Sequence, residues 1–153
     1  MRAGTGSQRS NMAKARGSIV VGTDGSERAE RAVDRAGELA KLLEVKVHVV
    51  SAYSKSSETL PGASGHEEQE DRTRAGHYVE RAQRRLAGMG VDSETHVWLG
   101  QPGDALAQIA DEQTAQMIVI GNRGMTGARR VLGSVPNRVS HHAPCDVLIV
   151  TTD

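Results

Sequence analysis

Gln116–Pro136 reads QMIVIGNRGMTGARRVLGSVP. The residues up to Ile120 form an apolar run of strand length, and SVPNRVSHHA, residues 134–143, has the spacing of a short helix. Between them stand four glycines (Gly121, Gly124, Gly127, Gly133) and three arginines (Arg123, Arg129, Arg130). A plain strand-to-helix turn needs about 2–6 residues, so a connection of this length and composition is there to hold something.

The same unit recurs along the chain. SIVVGTDGS, beginning at Ser18, is a buried strand running into a loop. Ala29, Ala32, Val33, Ala36, Ala40 and Leu43 then recur at helical spacing, with Ser26 placed as N-cap. VKVHVVSAY supplies a second strand, SKSSETLPGASGH a long polar loop, and Ala75, Val79, Ala82 and Leu86 the stripe of a second helix that ends near Gly88 and Gly90. SETHVWLG is a third strand. Pro102 opens a third helix carrying Leu106, Ile109 and Ala110, because proline suits a first turn whose N–H has no partner. DVLIVTT closes the series as a fifth strand. Strict alternation of strand and helix with apolar strands predicts an α/β protein, its parallel sheet covered by helices on both faces.

Composition bounds the rest. A chain of 153 residues fits a single domain, expected over residues 17–153, while the polar, basic, Gly- and Ser-containing residues 1–16 are expected to be disordered. Nineteen basic side chains balance nineteen acidic ones, so no net field draws in nucleic acid or an anionic membrane. The single Cys145 has no disulfide partner, and neither a secretory h-region nor a membrane-length apolar run is visible. The expectation is a reduced, cytoplasmic protein without nucleic-acid or membrane partners.

In an open doubly wound sheet, ligands sit beyond the carboxyl ends of the strands where the winding reverses. GTDGS after strand one and GNRGMTGARRVLGS after strand four are the loops expected there, side by side. The glycines permit close backbone approach, and the helix following Gly133 and Ser134 offers unpaired N–H groups and a positive dipole end to an anion. The Ser134 hydroxyl serves either a phosphate oxygen or the cap of its own helix. The Asp24 carboxylate suits paired hydroxyls such as a ribose edge, or else fixes its own turn. Arg123, Arg129 and Arg130 pair with phosphates or solvate the loop, with the solvated reading favoured for the last two.

Other chemistries find little support. The sequence has no G-x-x-x-x-G-K-[ST] and no G-x-G-x-x-G in its first loop. It lacks a G-x-S-x-G elbow and an H-E-x-x-H pair, and no catalytic residue is assigned. A receiver domain would need clustered acids after strand one, where only Asp24 stands. His141 and His142, beside Pro144 and Cys145, lack the paired spacing of a ligand set, so no metal ligand is assigned.

IVVGTDGSERAERAVDRA, GQPGDALAQIADEQTAQMIVIGNRGMTGARRVLGSVP and APCDVLIV, in this order, resemble the universal stress protein family from Ser18 to Thr151. The resemblance implies a Rossmann-like five-stranded parallel sheet of order 3-2-1-4-5, frequently in a homodimer, with ATP or another adenine nucleotide such as AMP or cyclic AMP as ligand and Mg²⁺ accompanying the phosphates. The family's ATP-binding motif G-x2-G-x9-G-[ST] maps onto Gly121, Gly124, Gly133 and Ser134. Similarity further suggests Gly22, Thr23 and Asp24 at the nucleoside, with Asp24 on the ribose. It suggests Val49 beside the adenine and Val135 among the phosphate contacts, with Asn122 and Arg123 in the same cofactor-binding set. This chain has eight residues between Gly124 and Gly133 instead of nine, and Pro136 where ATP-binding relatives often carry Ser or Thr. Loss of that N–H and hydroxyl predicts that mono- or cyclic nucleotides compete well with ATP. The implied role is nucleotide-dependent regulation in the stress response, with dimerisation through residues 147–151. The alternative is a low-turnover ATPase or autophosphorylating enzyme of the same fold.

Overall fold

A computed structural model describes residues 17–55, 65–122 and 133–151. Nine elements alternate along the chain: β1 (Ile19–Gly22), α1 (Glu27–Leu43), β2 (Val47–Tyr53), α2 (Gly65–Gly88), β3 (Ser93–Leu99), α3 (Pro102–Glu112), β4 (Met117–Gly121), α4 (Ser134–His142) and β5 (Asp146–Val150). The strands form one sheet of order β3-β2-β1-β4-β5, every neighbouring pair parallel. This is the expected doubly wound architecture, with β3 and β5 at its edges.

Alternation along the strands divides the core into two layers. Ile19, Val21, Val47, Val49 and Val119 point to one face, where α1 and α2 cover them with Ala32, Val33, Ala36, Val79 and Leu86. Val20, Val50, Ile118 and Ile120 point to the other, against Leu106, Ile109 and Ala110 of α3 and Val139 of α4. The first layer depends on a close helix approach at Gly37, where an added Cβ would meet Leu86 and Met89 side-chain atoms within 2.8–2.9 Å. Arg85 of α2 fastens the two helices outside the core by a forked pair with Asp34 of α1.

Local signals behave as chemistry requires. The Ser26 side chain accepts the Ala29 N–H at 3.2 Å and caps α1. Pro102 opens α3 at its first position. Leu43 departs from the expected core stripe: it is the last residue of α1 and is exposed, while Leu39, one turn earlier, packs on the core. Ser134 also departs from the capping role weighed for it. The N-cap is Gly133, which has no side chain to cap with, and Ser134 is the first helical residue.

Candidate functional site

The winding reverses between the adjacent strands β1 and β4, and a cavity of about 280 Å³ opens at the carboxyl ends of the central strands. Pockets for small ligands begin near this size, at about 300 Å³. The first loop and the described ends of the second share this cavity: Gly22, Thr23 and Asp24 line it from one side and Gly121, Asn122, Gly133, Ser134 and Val135 from the other. Arg123 and Gly124 lie outside the described residues.

The first loop is held rigidly. The Thr23 N–H donates to the Val50 carbonyl at 2.9 Å, and the Thr23 hydroxyl oxygen accepts the Gly25 N–H at 3.2 Å. Gly25 has φ +77°, and a Cβ there would meet the Tyr78 ring at 2.3 Å, so only glycine lets α2 close over this turn. Arg81 of α2 donates to the Gly25 carbonyl. Asp24 Oδ1 accepts the Ser26 N–H at 3.0 Å. The turn-fixing role of Asp24 is therefore present, on a carboxylate that also borders the cavity.

The second loop ends where α4 begins. The first turn of this nine-residue helix faces the cavity through Ser134, Val135 and Pro136. Its amino-terminal dipole end is thus directed at the space a ligand would occupy. Pro136 is buried at the third helical position, where it supplies apolar wall and no N–H. On β4's side, the Asn122 N–H donates to the Val150 carbonyl at 3.0 Å, tying the loop to the outermost strand. Arg138 of α4 forms a forked pair with Asp104 of α3 at 2.7 and 3.0 Å, fixing the two helices that flank the opening. Its guanidinium holds the Asp104 carboxyl below the usual aspartate range.

Val49 is not among the residues that line this cavity. It is fully buried in the closed layer under α1 and α2, and its neighbour Val50 lines the cavity instead. The reason is phase: Gly22 pairs with Val50 across β1 and β2, so Val50 and Ala52 share the face of Gly22 and Val49 points away. Sequence reasoning also missed Arg28, Leu106 and Ile120 in the lining. Alternation counted from Gly22 through the parallel register would have found the strand residues. A neighbouring hollow of about 330 Å³ shares Ala52 and Pro102 with the cavity, but its charged groups, Asp71 and Arg74, are already paired at 3.1 Å. The glycine-lined cavity therefore has the better claim to a ligand.

His141 and His142 are exposed and gather no other donor into a ligand group among the described residues. Cys145 is half-buried against the second core layer, and burial, with Asp146 adding to it, pushes its thiol pKa up. No helix among the described residues is long and apolar enough to cross a membrane.

Sheet order, the crevice at the winding reversal and a glycine-led helix start define an open, doubly wound α/β protein with a cavity beyond its strand ends. The model of the universal stress protein family matches residues 16–151, and the chain belongs to that family. The universal stress protein Rv1636 of Mycobacterium tuberculosis is 39% identical over 140 residues, covering 88% of this chain and 95% of the relative. A crystal structure of a universal stress protein in complex with cyclic AMP superposes with a TM-score of 0.71 at 37% identity, covering 90% of this chain and 98% of that one. A universal stress protein from Archaeoglobus fulgidus in complex with dAMP gives a TM-score of 0.68 at 34% identity, covering 86% and 95%.

Proposed function

We propose that this protein is an adenine-nucleotide-binding regulator, its ligand held in the cavity between the GTDGS loop and the first turn of α4. The observation that carries this reading is the convergence of Asp24, the glycines Gly22, Gly121 and Gly133, and the amino terminus of α4 on one cavity. Val50, Ala52, Leu106 and Ile120 give the base an apolar floor, Asp24 an acceptor pair for the ribose, and the N–H groups after Gly133 a cradle for phosphate. The complexes of similar proteins with cyclic AMP and dAMP support the adenine class. With Pro136 buried in that first turn, one fewer N–H faces the phosphates, which favours AMP and cyclic AMP over ATP. Binding that favours one conformation suffices for regulation without turnover.

Calorimetry with AMP, cyclic AMP, ADP and ATP tests the assignment, with Asp24→Asn as the informative variant. Asparagine retains the side-chain oxygen for the Ser26 N–H and removes the charge offered to the ribose. A folded variant weakened at least about tenfold is the expected outcome, since hydrogen bonds to charged groups contribute about 1.5–3 kcal/mol. Unchanged affinity would remove the ribose role from Asp24, and no heat with any of the four nucleotides would end the reading. ADP accumulating in the presence of Mg²⁺ would favour the low-turnover ATPase instead.

A homodimer through β5 belongs to the same proposal. Val147, Leu148, Ile149 and Val150 stay partly exposed on an edge strand, an arrangement that pairing with a second copy would resolve. Sedimentation at micromolar concentration should give twice the chain mass, and a monomer there would exclude this contact.

A further inference from the structure

Away from the cavity, near the amino-terminal end of the sheet, three donor side chains converge on the outer strand pair. His48 on β2 is paired in register with Glu94 on β3, and His96 lies two residues further along β3, on the same face. His48 Nδ1 stands 2.9 Å from His96 Nε2 and 3.5 Å from a Glu94 carboxylate oxygen, and the three donor atoms all lie within 4.8 Å of one another. None of these residues lines the nucleotide cavity. We infer that His48, Glu94 and His96 form a binding site for a divalent first-row transition-metal ion, with zinc the ion whose ligand preferences the set fits.

Two imidazoles and a carboxylate are a common zinc donor set, held about 2.0–2.2 Å from the ion. Ligand atoms at a tetrahedral angle then lie about 3.3 Å apart. The distances of 2.9 and 3.5 Å bracket that spacing, so a shift of a few tenths of an ångström admits the ion. The backbone supporting the donors is sheet rather than loop, which limits the reorganisation required on binding.

The His48 side chain is only 4% exposed, and burial lowers the pKa of both His48 and His96. Lys46 donates to Glu94 at 2.9 Å and holds that carboxyl below its ordinary range. Lys46 opposes a cation, whereas Glu94, Asp92 on the same edge and Glu112 of α3, whose charge acts on His96, favour one. The negative charges outnumber the positive one. Glu94 keeps its side chain half exposed, leaving a route from solvent to the ion.

A hydrogen bond between two neutral imidazoles would account for the 2.9 Å contact alone. It leaves the Glu94 carboxylate, held in place by Lys46, as a third donor within reach of the same pair.

The test uses the full chain, stripped with a chelator and then titrated with zinc by calorimetry, and with cobalt for its visible absorption. One ion per chain and the intense bands of low-coordinate cobalt are expected. His96→Gln and Glu94→Gln, both at incompletely buried positions, should each weaken zinc by more than about tenfold while circular dichroism stays native. Lys46→Met should tighten it, and the paired control His141→Gln with His142→Gln should leave it unchanged. Absence of zinc and cobalt binding by the native chain overturns the site, as does binding that survives both His96→Gln and Glu94→Gln. Binding lost in the control overturns it as well. Because the assignment does not rest on the nucleotide reading, an AMP titration of the same samples separates failure of one from failure of the other.

Discussion

The two faces of the sheet are built from alternate residues of the same strands, yet they end differently. Under α1 and α2 the layer is closed: Val21, Val49, Leu86 and their neighbours are almost wholly buried, and Gly37 lets the helices approach until Leu86 and Met89 fill the space. Under α3 and α4 the layer begins the same way with Val20 and Ile118, then opens into a cavity at the strand ends, where Val50, Leu106 and Ile120 become wall as well as core. The difference shows how a doubly wound sheet separates its tasks. One face is packed out to the strand ends, and the other leaves a volume open there.

If this division holds, equivalent truncations on the two faces should cost different amounts in urea denaturation. The largest contrast is expected between Leu86→Ala and Leu106→Ala. Leu86 is fully enclosed, so its truncation should leave an unrelaxed void and cost about 4 kcal/mol, near the upper part of the range for such changes. Leu106 borders a cavity already open to solvent, and the added space merges with it, so about 2 kcal/mol is expected. Equal losses would break the comparison. A smaller but sharper contrast comes from adjacent residues. Val49→Ala should cost about 2 kcal/mol with nucleotide affinity unchanged, whereas Val50→Ala should cost about 1 kcal/mol and weaken binding through the lost floor of the cavity. Weakened binding in Val49→Ala with none in Val50→Ala would reverse the assignment of the two faces.

Much of this architecture was legible before the structure, because the signals are local. Ser26 caps and Pro102 opens helices for reasons contained within one turn of chain. Apolar strands alternating with amphipathic helices leave a parallel sheet as the natural solution. The two glycine loops were placed together by the winding rule alone. What escaped depended on partners distant in sequence. The choice between Val49 and Val50 is a matter of phase, fixed by the pairing of Gly22 with Val50 across strands. Gly37 reads in sequence as a weakened helix position, and its value appears only when Met89 arrives from another element. Leu43 lies on the correct stripe but at the helix end, where it stays exposed. The His48, Glu94 and His96 group has no motif spacing, since its two histidines are 48 residues apart and meet only through the β2–β3 register.

The amide of Asn122 hydrogen-bonded to the carbonyl of Val150 makes the rim of the crevice and the outermost strand a single mechanical piece. A second molecule gripping that strand would stiffen the rim from behind without any side chain reaching inside. Reciprocity then requires that an occupant which stiffens the rim strengthen the grip by the same free energy. Occupancy and assembly would rise and fall together through one backbone hydrogen bond, with no rearrangement of domains.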